Sequence, residues 1–573
     1  MPSNADAAEL FRSIADLLDL LGEKFKPEAY RRAARSIESL TEDLAAVAAR
    51  HELRAIPGVG EAIAEKTEEY LRTGTVQYYE RLKREIPAGL VELMRLPGLG
   101  PKTARRFWVE LGIEGPKELT DAIAAGRLDG VKGFGDKKID QIRTALAAAK
   151  SGGAATRRPL EEVFPVARSL VNALRAGAPA DRVELAGSFR RARESVGDLD
   201  ILVTSKEPTK VFDVFTAQPE VAEVKMRGET KETVLLKGGL QVDLRVVEPD
   251  EFGAALQYFT GSKDHNVRLR SLARDRGLKV NEYGVFRGEE RVAGATEEEV
   301  YASLGLSWIP PELREDRGEI DLAAKGKVPS LVSAGDVHGD LHVHLPADAG
   351  TSDAETVVRD ARRRNYSFLG VVVAGVDASG TAWALSEELR SHLSASGGLN
   401  PRLYFGVETA PGPLPKGLDA VAHDYRILRP SAGTVGPGES EPPGAPSSVP
   451  TVIAHVGASE TAALLRWVEE ARKSSAAFDL GPGPERLDST GGRLVREAGL
   501  SVHLATGVGR PPDDPTGEVA LGFARRAGMP PEKVWNVRLP GALSSARSAP
   551  RKSPSAGSSD PPRSPSSTRR RSA

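Results

Sequence analysis

Residues 197–202 read GDLDIL, two carboxylates one residue apart inside an apolar run. In an extended strand, positions i and i+2 project to one face. Asp198 and Asp200 therefore point together, while Leu199 and Ile201 point into a core. The pattern commits the segment to a sheet with one buried face and one acidic face. Two carboxylates held that close repel unless a cation lies between them. A third, Asp243, stands in the strand pattern LQVDLRVV, where Val242 and Leu244 face the other way. Three carboxylates on adjacent strands suit two divalent ions, one activating an attacking oxygen and one bridging phosphates and leaving group. For a lone DxD, a solvent-facing acid pair on an edge strand is the plainer reading.

Composition narrows the choice of ion. The 573 residues include no cysteine, which excludes disulfides, thiol catalysis and cysteine-ligated zinc or iron–sulfur centres, so a metal must sit on oxygen or imidazole. The net charge of -2 means that contact with a polyanion must be a local patch. With no apolar run near twenty residues and no signal-peptide shape at the N-terminus, the expectation is a cytoplasmic, nucleoid-associated chain without a membrane partner and, by default, a monomer.

Residues 1 to 150 read as helices broken by glycine turns, with Leu10, Ile14, Leu17, Leu18 and Leu21 forming one helical stripe. After a linker over Ser151 to Arg158, strand patterns appear at VELAG, DLDILVTS, TVLLK and LQVDLRVV. A second connector precedes residue 336. From there to about 540, the runs SFLGVVV, LYFGV, VIAHV and SVHLA alternate with helix patterns, which predicts β/α units of a barrel. Arg429 to Pro450 reads as a flexible insertion. The Ser/Pro/Arg-rich tail from 541 to 573 has too little apolar surface to fold alone.

Three turns share one pattern: IPGVG with Gly58 and Gly60, LPGLG with Gly98 and Gly100, and VKGFG with Gly133 and Gly135. A Gly-x-Gly turn exposes backbone N–H groups and lets a phosphate approach with no Cβ in the way. Such a turn can hold a phosphodiester without reading a base. The pattern resembles helix-hairpin-helix motifs, and Lys102, Arg105 and Arg106 after the second turn suit phosphates. An αα-hairpin turning on glycine is the alternative for any one of them.

The stretch AGSFRRARESVGDLDIL, followed by VDLR and by YFTGSKDHNVRLR at 258–270, resembles the family X DNA polymerases, whose palm carries GSxRR, GDxDxL and a third aspartate in order. The resemblance covers residues 1 to about 320. It implies Asp198, Asp200 and Asp243 as catalytic ligands of two Mg2+ (or Mn2+) ions. It also implies nucleotide contacts at Gly187, Ser188, Arg191, Gly197, Tyr258, Phe259, Gly261 and Asn266, with Arg270 on the template strand. Lys66 stands where repair members of the family carry a 5'-deoxyribose-phosphate lyase amine, although Ala62 replaces a second basic residue of that motif. Lys263, Val267 and Gln241 depart from vertebrate members at positions that are not metal ligands.

GDLHVHLPADAG at 339–350 resembles the start of a PHP domain, a distorted β/α barrel of metal-dependent phosphoesterases. His342, His344, Asp348, Glu408 and His455 match its ligands. Val372-Val373-Ala374, Arg426 and Gly507-Val508-Gly509 stand where others are expected. Five of nine ligands cannot hold a trinuclear centre, so PHP metals are expected to be absent or incomplete.

The expected fold class is multidomain α+β and α/β, in six parts. These are an N-terminal helical DNA-binding domain (1–85), fingers with a helix-hairpin-helix (86–150), a nucleotidyltransferase palm with a mixed sheet (158–247), a thumb (248–325), a degenerate PHP domain (336–540) and the tail (541–573). The implied function is template-directed gap filling on gapped or primer-template DNA with deoxynucleoside triphosphates. The alternatives are a non-catalytic DNA-binding scaffold, a polymerase retaining 3'-5' exonuclease or phosphoesterase action in its barrel, a barrel-based phosphatase, and template-independent nucleotidyl transfer.

Overall fold

In a computed structural model of the chain, the structure describes residues 4–38, 44–94, 99–128, 131, 135, 139, 142–143, 146, 157–345, 348–376, 382–396, 401–409, 423–429, 450–454, 461–473, 476–483, 486–539 and 543. Gly98, Gly133 and His455 lie outside the described residues, as do nearly all of the 430–449 insertion and of the tail.

The N-terminal region is helical, opening with Asn4–Leu21 and Lys26–Glu38. The buried stripe of the first helix is wider than the leucine pattern predicts, because Phe11, Ala15 and Leu20 are also sealed. One apolar cluster runs from Ala7 to Leu146 and crosses the expected boundary at residues 85–86.

The palm is a five-stranded mixed sheet. β1 (Arg158–Pro159) pairs with β3 (Ser195–Val196) at its margin. The main order is β2 (Arg182–Leu185), β4 (Asp198–Thr204), β7 (Gln241–Val247), β6 (Lys231–Leu236) and β5 (Val221–Arg227). β4 and β7 run parallel, and the other pairs are antiparallel. Leu199, Ile201 and Val203 bury one face of β4 against helices Leu160–Gly177 and Pro208–Thr216. Leu202 on the opposite face packs on Phe252 and Leu256 of helix Phe252–Thr260. The sequence expectation for β4 thus holds, with apolar residues closing both sides below the acidic end. β5 lies outside the strand patterns of the sequence; it reads VAEVKMR and is exposed along almost its whole length, so no burial pattern marks it.

The thumb adds helix Lys263–Asp275 and the antiparallel sheet β8 (Lys279–Asn281), β9 (Gly284–Arg287), β10 (Glu290–Ala293). The C-terminal region is a curled parallel sheet in the order β11 (Gly339–His344), β12 (Phe368–Val376), β14 (Arg402–Thr409), β15 (Tyr425–Leu428), β16 (Thr451–Ile453), β17 (Ala476–Leu480), β18 (Ser501–Leu504). β13 (Ala382–Ala384) lies antiparallel on β12. Among the described residues, β11 and β18 share no ladder. Side chains join them instead: Leu341 N–H donates to His503 Nε2 at 2.9 Å, and the Asn536 amide bridges Gly339 and Leu504.

This region is not a separate lobe. Palm residues such as Leu199 and Phe212 share one apolar cluster with Phe478, Val519 and Phe523 of the C-terminal sheet and its helices. The connector before residue 336 is fixed as well, with Val332 N–H bonded to the Met529 carbonyl.

Candidate active site

The three palm aspartates converge as the strand pattern predicts. Parallel register sets Asp200 opposite Asp243 across β4 and β7, with Asp198 one step along the same face. Asp243 accepts from Lys231 Nζ and Thr233 Oγ1, each at 2.7 Å, and from Gln241 Nε2 at 3.3 Å. Among the described residues, no side chain donates to Asp198 or Asp200. Burial, reinforced by the charges of Asp198 and Asp243, pushes the Asp200 carboxyl up to about 7. Burial and Asp243 also raise Asp198.

A cleft of about 380 Å³ opens over these carboxylates, walled by palm residues Arg157, Gly187 and Ser188 and by thumb residues Tyr258 to Gly261, Asn266 and Arg270. A larger recess, about 430 Å³, lies behind the sheet between Val163, Leu236 and Leu240 and is mainly apolar. The smaller cleft is the chemical one, because titratable groups converge on it. Gly187 has φ +62°, and a Cβ there would lie 2.5 Å from Asp200 Oδ2. Glycine is thus required for the turn to close on the carboxylate. The Ser188 hydroxyl is buried with no hydrogen-bond partner among the described residues. A buried orphan donor beside crowded carboxylates fits a phosphate held with divalent cations. Gly197 abuts Arg157, whose Nη1 would lie 3.3 Å from a Cβ at that glycine.

On the thumb side, Tyr258 and Phe259 meet edge to face at 5.2 Å, and the Arg245 guanidinium sits over the Phe259 ring at 4.4 Å. Asn266 Nδ2 donates to the Tyr258 carbonyl at 2.7 Å, and its Oδ1 accepts from Gln257. The side chain is thereby fixed at the cleft wall. Arg270 is exposed.

The adjacent arginines of GSFRR are not free charges. Arg190 donates to Thr260 Oγ1 at 2.8 Å and, through both guanidinium ends, to Glu297, which Arg314 and Trp308 also bind. Burial would raise the Glu297 carboxyl, but Arg314 and Arg190 outweigh it and hold it at about 2. Arg191, expected to face a triphosphate, donates Nε to Glu315 at 2.9 Å and Nη1 to the Thr260 carbonyl. It lines the cleft with its charge shared by Glu315, a partner the sequence reading did not foresee. Glu297 and Glu315 escaped that reading because they lie 107 and 124 positions from their arginines.

Of the glycine turns, Gly58 has φ +84°, whereas Gly60 and Gly100 are ordinary extended residues capping helices Glu61–Thr73 and Pro101–Leu111. A Cβ at Gly60, Gly100 or Gly135 would meet nothing of the protein within 4 Å. Among the described residues, neither backbone strain nor packing requires glycine at 60 and 100. Lys102 is exposed beside Gly100. Arg105 turns inward instead, its guanidinium against Gly22, and Arg106 pairs with Glu110. Lys66 Nζ donates to Ala62 O at 2.9 Å and lies 4.9 Å from the Tyr78 ring centre.

In the C-terminal sheet, His342, His344 and Glu408 bring one ligand atom each within 4.8 Å of one another. Asp348, expected beside them, is exposed and outside this group. Glu408 is paired with Arg429 at 3.0 Å. Asp479 and His503, which no sequence motif marked, form the buried centre: His342 Nδ1 lies 2.9 Å and His503 Nδ1 2.8 Å from the Asp479 carboxylate, and Arg486 donates to it at 2.9 Å. His503 thus lies between two buried acids, with Nδ1 2.8 Å from Asp479 and Nε2 3.3 Å from Asp340. Val372, Val373 and Ala374 are fully buried.

Comparison with known proteins accords with this geometry. Residues 157–252 match the DNA polymerase beta palm, 255–315 the DNA polymerase beta thumb, 2–76 a helix-hairpin-helix domain and 90–148 a SAM-like helix-hairpin-helix tandem. The chain is 32% identical over 371 residues to the DNA polymerase/3'-5' exonuclease PolX of Bacillus subtilis (strain 168), covering 64% of each. It is 26% identical over 345 residues to DNA polymerase lambda of Rattus norvegicus, covering 54% of this chain and 56% of that one. It is 25% identical over 366 residues to DNA-directed DNA/RNA polymerase mu of Homo sapiens, covering 54% and 69%. The chain thus spans less than two thirds of the length of the first two relatives. With palm, thumb and both helix-hairpin-helix modules matched in order, the chain is similar to the bacterial family X DNA polymerases.

Proposed function

We propose that the chain is a template-directed DNA polymerase that fills short gaps in DNA repair. The observation that carries this is the convergence of Asp198, Asp200 and Asp243 on a cleft that also holds the orphan Ser188 hydroxyl and the thumb segment Tyr258 to Asn266. The reaction joins a primer 3'-oxygen to the α-phosphorus of a deoxynucleoside triphosphate and releases pyrophosphate. The three carboxylates would hold two divalent cations, Mg2+ or Mn2+, which would supply activation of the attacking oxygen and compensation of the phosphate charge. Lys231 and Thr233 orient Asp243. Gly187 and Ser188 receive the triphosphate, and the Tyr258–Phe259 pair bounds the sugar. Asn266 faces the base, and Arg270 the template. Gly58, Gly60, Gly100 and Lys102 offer backbone and charge to DNA phosphates. Lys66 stays outside the proposal, since its amine rests on its own helix.

The domain division at 1–85, 86–150, 158–247, 248–325, 336–540 and 541–573 belongs to the same reading, as do a monomeric state and a cytoplasmic, nucleoid-associated location. No helix among the described residues is long and apolar enough to cross a membrane. For the C-terminal sheet we infer a structural role, because its acids already have protein partners. A second reading, a surviving one-metal phosphoesterase site, is favoured by the His342, His344 and Glu408 group.

The test is primer extension on a one-nucleotide gap with a downstream 5'-phosphate, comparing wild type with Asp243→Ala. Incorporation of the matched nucleotide that vanishes in the variant supports the polymerase. Gap binding without incorporation by wild type leaves a DNA-binding scaffold instead.

A further inference from the structure

The helix Thr516–Arg526 of the C-terminal region reaches the wall of the polymerase cleft. At its end, the buried Arg526 donates Nη1 to Glu315 Oε1 at 2.8 Å and to the Arg191 carbonyl at 3.3 Å. The same Glu315 oxygen accepts from Arg191 Nε. One carboxylate oxygen therefore sits between a palm guanidinium and a guanidinium of the C-terminal region. The approach is close elsewhere on this helix: a Cβ at Gly522 would lie 2.8 Å from the Ala192 Cβ, so the helix needs glycine where it crosses the palm turn.

The charges do not cancel. Arg526 also lies 3.6 Å from Glu194 and Arg193 lies 3.9 Å from Glu315, so three guanidinium groups share two carboxylates and the cluster keeps positive charge beside the cleft, where Arg191 also donates to the Thr260 carbonyl. Burial would raise the Glu315 carboxyl, but Arg526 and Arg191 outweigh it and hold it at about 2. Were Arg526 removed, Glu194 and Glu315 would face only Arg191 and Arg193, and Glu315 would be held more fully by Arg191. Arg191 would then be both neutralised and drawn away from the cleft.

We propose that Arg526 is a positioning residue of the polymerase site, contributed by the C-terminal region, which by sharing Glu315 leaves Arg191 only partly compensated and placed for the triphosphate. This rests on the polymerase reading above. On this proposal the docking of the C-terminal sheet against the palm tunes nucleotide affinity.

The test measures kcat and nucleotide KM on a one-nucleotide gap with the full-length chain. The variants are Arg526→Ala, Arg526→Gln and Arg526→Lys, with Arg525→Ala as control. Arg525 also ties the C-terminal region to the thumb, through Glu312 and the Val332 carbonyl, but has no contact with Arg191 or Glu315 among the hydrogen bonds described. The expected result is a rise of about tenfold in nucleotide KM for Arg526→Ala and Arg526→Gln, with kcat within about twofold of wild type and partial rescue by lysine. Arg525→Ala should leave KM unchanged. In an Arg191→Ala background, Arg526→Ala should add nothing further. An equal KM rise in Arg525→Ala, or full additivity with Arg191→Ala, would overturn the proposal. Wild type that extends primers while Arg526→Ala keeps its KM defeats this proposal alone. Wild type that neither extends primers nor binds nucleotide defeats the polymerase reading and this proposal with it.

Discussion

In the palm, Asp198 and Asp200 face a cleft with no side chain donating to either among the described residues, and Asp243 has Lys231 at 2.7 Å. In the C-terminal sheet, Glu408 has Arg429, and Asp479 has Arg486, His342 and His503. Both centres combine acids near strand ends, yet the first has surplus negative charge and the second supplies its own cations. Burial would raise the Asp479 carboxyl, but His342, His503 and Arg486 outweigh it and hold it well below the usual range. Asp200, with like charges as neighbours, goes the other way, to about 7. A site kept for an external cation stays electrostatically unfinished, whereas a site given over to the fold is completed by protein groups.

The largest test of this contrast is Asp200→Asn. Primer extension should fall by at least about 10³-fold, roughly 4 kcal/mol of barrier. The metal-free protein should become more stable at pH 8, since a buried, crowded charge is gone. A variant less stable than wild type at that pH would break the contrast, because Asp200 would then be held by the fold.

Next in size is a pH effect with a definite sign. The Asp200 pKa is raised on folding, so between about 4 and 7 the native state holds a proton that the unfolded chain has lost. Stability of the metal-free protein should therefore fall as pH rises through this window, by up to about 4 kcal/mol from this group. Added Mg2+ should restore it, with a larger gain in Tm at pH 8 than at pH 5. Thermal melts with EDTA or Mg2+ at both values check this.

The contrast itself is half legible in the sequence. GDLDIL and VDLR announce the palm site because a period-two pattern fixes which residues share a face, and register then brings Asp200 opposite Asp243. The C-terminal sheet shows only its HxH and the lost ligand positions. Nothing local marks Asp479 or His503 as partners of residues 137 and 162 positions away. The fate of Arg191 is hidden for the same reason, since its charge is set by Glu315 and, 335 positions on, Arg526.

A smaller effect belongs to the C-terminal sheet. Glu408→Gln should lower stability by about 1–2 kcal/mol, a discounted figure because Arg429 is partly exposed, with primer extension unchanged. Melting and extension assays on one preparation check both parts. The smallest expected signal is metal binding by the full chain carrying Asp200→Asn and Asp243→Ala. Manganese titration should find little there. Stoichiometric binding with phosphoesterase turnover would show the second centre to be as unfinished as the first.

The stitches by which His503 and Asn536 join β11 to β18 reach back 162 and 197 positions, and Arg526 reaches back 335 to Arg191. During synthesis, all three carboxylates and the whole thumb emerge long before these residues do. Contacts so remote along the chain form slowly and late. A nascent chain therefore carries all three palm aspartates before Arg526 can reach Glu315 and the Arg191 carbonyl beside their cleft.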